Sequence, residues 1–89
     1  MAKTYVIQRT RERTDSTTTL TGTIEELVQS CSYTLECGAS YSSEKGNAKI
    51  NRNPKTIKSL ITNLNNAVNN SAANGYAGVT YKEVDLVAV

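Results

Sequence analysis

The sequence contains no histidine, phenylalanine or tryptophan. Without histidine, the chain lacks the commonest general base and the commonest nitrogen ligand for metals. The acidic residues show no spacing that would pair them with a nucleophile and a base, and neither a P-loop nor a Gly-x-Gly-x-x-Gly motif occurs. We therefore predict a protein that binds a ligand without catalysis, and without a metal or a cofactor.

Cysteine and long apolar runs are also scarce. The two cysteines, Cys31 and Cys37, have neither the spacing of a zinc site nor that of a disulfide framework. No stretch approaches the roughly 20 apolar residues of a membrane helix, and no apolar run of signal-peptide length begins the chain. We therefore expect a cytoplasmic protein that has free thiols and no membrane partner.

Charge and length narrow the choice of partner. The 89 residues carry 10 basic and 8 acidic side chains, a net charge of +2. This excess is too small to drive non-specific binding to nucleic acid, so we expect no nucleic-acid partner. A chain of this size buries only about 60% of its unfolded surface, and its core must come from aliphatic residues and tyrosine. We therefore expect a homo-oligomer, a dimer or a larger assembly such as a hexamer.

Hydrophobic periodicity predicts one α+β domain over residues 1–89, in the order strand, strand, helix, helix, strand. Thr23 and Glu26 have the spacing of a capping box at the start of the first helix. Asn53 and Pro54 have the residue types of a helix cap and a first helical position. The expected fold is a small antiparallel sheet packed on two helices. The expected elements are strands at 3–13, 17–21 and 79–89, the last with a bulge near Glu83, a helix at 23–38 that could break near Tyr33, a second helix from 53 to about 70, and a turn at 74–75.

Three arginines alternate along the first predicted strand. Arg9, Arg11 and Arg13 would project from one face, where their planar guanidinium groups suit phosphate. The alternative is a solvated edge strand on which charges discourage pairing with other strands. Both readings remain open at this point.

Cations also cluster at the predicted start of the second helix. Free amides and the helix dipole favour an anion there, whereas Arg52 and Lys55 place positive charge at the same end. A bound phosphate would offset that repulsion, with Asn53 as the cap and Thr56 beside it. Alternatively, the long side chains simply extend into water.

Four tyrosines could provide an aromatic surface for a base, namely Tyr33, Tyr41, Tyr76 and Tyr81. Each of them could equally be part of the core or of the sheet surface. Tyr41 and Tyr76 are the better candidates for stacking because Gly and Ser residues surround them.

Several stretches, spread over residues 3–85, together form a recognisable set. They are Glu25-Glu26-Leu27, Ser32-Tyr33-Thr34-Leu35-Glu36-Cys37-Gly38, Ile50-Asn51-Arg52-Asn53-Pro54-Lys55-Thr56-Ile57-Lys58-Ser59-Leu60, Asn63-Leu64-Asn65, Asn74-Gly75-Tyr76 and Tyr81-Lys82-Glu83-Val84. The set resembles small bacteriophage proteins of the first Thoeris anti-defence family. The stretch from Asn53 to Leu60 is its most specific part.

The resemblance implies a protein that sequesters a signal. Members of the family bind cyclic ADP-ribose isomers made by bacterial TIR-domain proteins during infection and leave them uncleaved. Some also bind cyclic oligonucleotides of cGAS-like defence systems, in pockets built by oligomeric assembly. The ligand-binding residues expected from charge placement together with the resemblance are Arg11, Arg13, Tyr41, Arg52, Asn53, Lys55, Thr56 and Tyr76.

Two other functions remain open from the sequence. A small nucleic-acid-binding regulator would use the strand arginines on the phosphate backbone. A protein-binding inhibitor would use a sheet edge or the second helix.

Overall fold

The computed structural model describes residues 3–72 and 76–84 and confirms an α+β fold with a three-stranded antiparallel sheet. A 3₁₀ turn, Glu12–Thr14, lies within the first hairpin. The regular elements in chain order are β1 (Tyr5–Arg11), β2 (Ser16–Gly22), α1 (Ile24–Ser30), α2 (Ser32–Ser40), α3 (Ile57–Asn70) and β3 (Val79–Glu83).

The strand β1 lies at the centre of the sheet, in the order β2-β1-β3. Ile7 is directly opposite Leu20 of β2 and Glu83 of β3, and Arg9 is opposite Tyr81 of β3. Directly opposed residues project from the same face, so these side chains share one side of the sheet. That side faces the helices, because Ile7 and Tyr81 belong to the buried core.

The first hairpin turns earlier than predicted. β1 ends at Arg11 rather than at residue 13, and Arg13 lies in the 3₁₀ turn. Asp15 closes this turn with φ 50°, a left-handed conformation that Asp tolerates better than most residues. Arg13 therefore does not continue the row of Arg9 and Arg11, and the predicted face of three arginines is wrong.

The helix predicted at 23–38 does break, as expected, but at Cys31 rather than at Tyr33, so the described residues contain three helices instead of the two predicted. The capping box is confirmed: Thr23 N donates to Glu26 Oε1 at 2.9 Å, and Glu26 N donates to Thr23 Oγ1 at 3.2 Å. The break falls at Cys31, whose φ and ψ of −106° and 11° depart from helical values. Ser30 and Ser32 flank it, and serine hydroxyls compete for helical backbone groups.

The helix α3 begins at Ile57, and Thr56 caps it by accepting a hydrogen bond from Ser59 N at 3.1 Å. The prediction of Asn53 as the cap and Pro54 as the first helical residue is therefore wrong. The N–H of Asn53 instead donates to Asn51 Oδ1 at 2.9 Å, which turns the chain before the helix. The apolar residues Leu60, Leu64 and Val68, spaced four apart, are buried on one side of this helix.

Two asparagines of α3 bind irregular backbone on the side of the helix away from the sheet. Asn70 Nδ2 donates to the carbonyl of Ala48 at 2.8 Å, and its Oδ1 accepts from the N–H of Ala48 at 3.1 Å. The same Nδ2 lies 3.2 Å from the carbonyl of Gly38. Asn63 Oδ1 accepts from Asn51 N at 2.8 Å. These bonds hold residues 47–53 against the helix without regular secondary structure.

The last strand keeps a regular register. Ile7 pairs with Glu83, and Val84 N donates to Val6 O at 2.9 Å, which continues the same pairing by one residue. The bulge predicted near Glu83 is therefore wrong. The predicted turn at 74–75 and the strand beyond residue 84 lie outside the described residues.

Candidate functional site

A groove of about 500 Å³ lies between α3 and the outer side of β3. We call it the Asn–Tyr groove; the residues that line it are Asn65, Asn66, Val68, Asn69, Ala72, Tyr76, Gly78, Val79, Thr80 and Tyr81. Its volume falls within the roughly 300–1,000 Å³ usual for small-molecule sites. The groove is open to solvent and mixes amide, aromatic and aliphatic surface.

The side chain of Asn65 links the two walls of the groove, α3 and β3. Its Nδ2 donates to the carbonyl of Tyr81 at 3.0 Å, and its Oδ1 accepts from the N–H of Tyr81 at 2.8 Å. The hydroxyls of Tyr81 and Thr34 lie 3.3 Å apart beneath it. The spacing between α3 and β3 is therefore held by directional bonds and does not depend on apolar packing alone.

Two other asparagines of α3, Asn66 and Asn69, also line the groove. Asn66 is half-buried and Asn69 is exposed. Within residues 3–72 and 76–84, neither side chain has a hydrogen-bond partner, in contrast to Asn63, Asn65 and Asn70. They are three positions apart, which places them on the same side of a helix. Sequence reasoning missed both, because asparagine on a helix is usually a solvated surface residue.

Tyr76, one of the two better stacking candidates in the sequence, is part of the groove lining. It is half-buried and packs against the core cluster. Burial raises the pKa of Tyr76, and the hydroxyl of Thr34 acts in the opposite direction. The phenol therefore stays neutral at physiological pH. Tyr33, on α2, is 77% exposed and is the large apolar side chain that the described structure leaves most open to water.

Arg11 is not part of the groove lining, but its backbone lies near the Tyr76 end of the groove. It pairs with Val79 across the sheet, and Val79 N donates to the carbonyl of Tyr76 at 3.2 Å. Glu12 is at the same end, since its N–H donates to the carbonyl of Gly78 at 3.1 Å. Arg11 and Arg13 are both exposed. Asp15 belongs to the same turn, since its N–H donates to the carbonyl of Glu12 at 3.2 Å, so the two arginines and the two carboxylates there carry no net charge.

Arg52 and Asn53 line a different cleft, of about 390 Å³. Its other wall, from α1 and α2, includes Glu25 and Glu36. Two carboxylates facing one guanidinium do not favour a phosphate, because an anion would meet a net negative wall. The predicted phosphate site at the start of the second helix thus has acidic neighbours that come from a distant part of the chain.

The remaining predicted site residues do not join either cleft. Lys55 is exposed, and the hydroxyl of Thr56 is occupied in capping α3. Tyr41 ends α2, is half-buried, and accepts a hydrogen bond on its carbonyl from Asn47 Nδ2 at 2.8 Å. Its ring lines neither the Asn–Tyr groove nor the cleft around Arg52.

The predicted residues therefore fall into groups at opposite ends of α3. Val68 and Asn69, near the C-terminal end of this helix, line the groove next to Val79, the partner of Arg11. Thr56 and Lys55 are at its N-terminal end, and a helix of 14 residues is about 20 Å long. One small ligand cannot span both groups within a single chain.

Arg9 differs from the other strand arginines. It is half-buried on the helix-facing side of β1, and its Nε has no hydrogen-bond partner among the described residues. Burial raises the pKa of Cys31, and the charge of Arg9 opposes that rise. Because β1 is the central strand, the alternative of a solvated edge strand is also wrong.

The described helices include none that is long and apolar enough to cross a membrane. Within residues 3–72 and 76–84, no three His, Cys, Asp or Glu side chains are grouped so that they could hold a metal ion. Comparison with protein-family models, curated proteins and solved structures found no match.

Proposed function

We propose that this protein is a bacteriophage anti-defence protein that binds cyclic nucleotide immune signals and sequesters them without cleavage. The ligands are cyclic ADP-ribose isomers produced by TIR-domain proteins, and we extend the proposal to cyclic oligonucleotides of cGAS-like systems. The protein acts in the host bacterial cytoplasm. Tight capture lowers the free signal, so the downstream effector stays inactive.

The observation that carries the proposal is the composition of the Asn–Tyr groove. Tyr76 offers an aromatic surface, Asn66 and Asn69 offer neutral hydrogen-bonding groups, and Arg11 lies at the same end. A cyclic nucleotide presents a base, ribose hydroxyls and phosphates, which call for these three kinds of group. The family resemblance of the sequence points to the same ligand class.

Binding without turnover agrees with the chemistry of the groove. Its lining residues are asparagine, tyrosine, threonine, glycine and aliphatic residues. Cleavage of a pyrophosphate or glycosidic bond needs a positioned acid, base or metal. Among the described residues the lining contains no carboxylate or amine, and the neutral phenol of Tyr76 cannot act as a base.

We further propose that a homo-oligomer, from a dimer up to a hexamer, completes the site. The groove is open on one side and contains no cation in its own lining. A second subunit would close the groove and could bring the exposed Lys55, just before its α3, towards the ligand. Within one chain this lysine lies at the far end of the helix.

Native mass spectrometry with a panel of cyclic ADP-ribose isomers and cyclic oligonucleotides tests the proposal. We expect a stoichiometric complex on an oligomer, from which heat denaturation releases ligand of unchanged mass. Release of a hydrolysed product would overturn sequestration in favour of an enzyme. The absence of any complex across the panel would overturn the ligand class.

Two tyrosine variants test whether the ligand binds in the Asn–Tyr groove. Tyr76→Ala should abolish the complex, because the groove loses its aromatic wall. Tyr41→Ala is the matched control, since Tyr41 is also half-buried but lies outside the groove. Circular dichroism of both variants checks that the fold is retained. Equal losses of binding in the two variants would contradict the assignment of the groove.

A further inference from the structure

We infer that Asn66 and Asn69 recognise the edge of an adenine base, and thereby select adenine over guanine or hypoxanthine. The inference deepens the proposed function and rests on it for the identity of the whole ligand. It concerns two residues that the sequence motifs did not single out as ligand-binding.

Most of the asparagines of α3 bind backbone groups of other segments. Asn63, Asn65 and Asn70 bind the backbone of Asn51, Tyr81 and Ala48. The helix therefore uses amide side chains where a donor and an acceptor are needed together. Asn66 and Asn69 are the α3 asparagines that have no such partner within the described chain, and both line the groove.

Asn66 and Asn69 lie close together on the surface of α3. Positions three apart on a helix have Cβ atoms about 5–6 Å apart, so the two amides are neighbours on one surface. Tyr76 lines the same groove. A base lying against the tyrosine ring would present its edge, where donors and acceptors alternate, towards the amides of α3.

The hydrogen-bonding groups of an asparagine amide match one edge of adenine. An amide supplies a donor and an acceptor side by side, which fits the N6 donor and N7 acceptor of adenine. Guanine and hypoxanthine present two acceptors, O6 and N7, at the same edge. Arginine or lysine suits that pattern, and neither lines the groove. An amide that pairs with both N6 and N7 of adenine places its oxygen opposite position 6, where guanine and hypoxanthine carry an acceptor, so the same amide pairs less well with those purines.

The test uses adenosine and inosine, which differ at position 6 and carry no phosphate. Binding is measured by NMR titration of the ¹⁵N-labelled full chain. We expect adenosine to bind about tenfold more tightly than inosine, the size expected when one paired edge is lost. Asn66→Ala and Asn69→Ala should each weaken adenosine binding and reduce this ratio towards one. Thr62→Ala, an exposed change elsewhere on α3, should leave it unchanged.

The outcomes separate this inference from the proposed function. Equal affinity for both nucleosides, no detectable adenosine binding, or an unchanged ratio in both asparagine variants would overturn base recognition. Equal weakening of both nucleosides in the variants would instead indicate that the amides bind ribose, and would also overturn it. Adenosine selectivity without binding of any cyclic nucleotide would overturn the proposed function alone. Asn69 is exposed, so its variant remains informative if Asn66→Ala does not fold.

Discussion

Asn65 makes both backbone hydrogen bonds of Tyr81 with one side chain, at 2.8 and 3.0 Å. The amide copies the donor and acceptor pair that a neighbouring strand would offer to the outer side of β3. It thereby joins the helix that carries Asn66 and Asn69 to the strand that carries Val79 and Tyr81. The shape of the groove depends on this one residue.

Asn65→Ala should lower the free energy of unfolding by about 1–3 kcal/mol, because two backbone groups of Tyr81 lose their partner. For a domain of this size, that corresponds to a decrease in Tm of roughly 4–8 °C per kcal/mol. Thermal unfolding followed by circular dichroism measures it. Thr62→Ala, an exposed neighbour on the same helix, is the control and should change Tm little. Equal Tm values for wild type and Asn65→Ala would contradict a structural role for the pair of bonds.

Gly38→Ala should also destabilise the fold. A Cβ at Gly38 would overlap both the Cα and the Cβ of Ala67, where α2 crosses α3. Overpacking of this kind costs about 1–3 kcal/mol or more. The double variant Gly38→Ala with Ala67→Gly should recover part of the loss, since only the Cβ clash is removed. Urea titration of the two variants checks this, and failure of the double variant to improve on the single one would argue against the contact.

The capping box of α1 makes stability depend on pH. The backbone and side chain of Thr23 lower the pKa of Glu26, so the ionised form contributes stability above the ordinary Glu value of about 4.3. This contribution is lost as the pH falls through the lowered pKa. In Glu26→Gln the amide oxygen can still accept from Thr23 N but cannot titrate. Tm measured from pH 6 to pH 3 should therefore fall more steeply in wild type than in Glu26→Gln, and parallel curves would contradict the assignment.

The two thiols should differ in reactivity. Cys31 is buried, and burial raises its pKa, whereas Cys37 is only half-buried. The thiolate is the reactive form, so Cys31 should be inert in the native protein. Iodoacetamide labelling followed by peptide mass mapping should modify Cys37 first, and Cys31 at a similar rate only in denaturant. Faster native labelling of Cys31 would show that the break between α1 and α2 opens.

Arg11 and Arg52 should contribute unequally to ligand binding. Arg11→Gln removes the cation at the end of the Asn–Tyr groove, and we expect it to weaken binding of a cyclic nucleotide by about tenfold or more. Arg52→Gln acts in a cleft that also contains Glu25 and Glu36, so its effect should be smaller. Isothermal titration calorimetry at two salt concentrations compares the Kd of the two variants for the ligand. A larger loss in Arg52→Gln would place the ligand in the other cleft or at a subunit contact.

The elements that could be predicted are those with a local signal. Thr23 and Glu26 mark the start of α1, and the apolar spacing of Leu60, Leu64 and Val68 marks α3. The cap at Thr56 was missed because Asn53-Pro54 has the same local chemistry and lies only three residues earlier. The break between α1 and α2 was predictable from the polar residues around it, and only its position, at Cys31 instead of near Tyr33, was not.

The candidate site was predictable only in part, because the groove is made by residues distant in sequence. Tyr76 was found from its loop context, and its place beside Arg11 depends on the pairing of β1 with β3. Asn66 and Asn69 have no local signal that separates them from Asn65 and Asn70. The carboxylates next to Arg52 belong to α1 and α2, so the charge of that cleft could not be read from the residues around it.

The bonds from Asn65 have a consequence for how copies of this protein meet. β3 is an outer strand, and a bare outer strand is a template for strands of other molecules. Asn65 makes both hydrogen bonds that Tyr81, the middle residue of β3, could offer to a further strand. At this residue the amide of α3 therefore takes the place of a neighbouring strand. Continuous strand addition along β3 is blocked at that point. Any assembly through this edge must therefore rely on side-chain contacts, and edge-to-edge pairing of sheets from two molecules is hindered there.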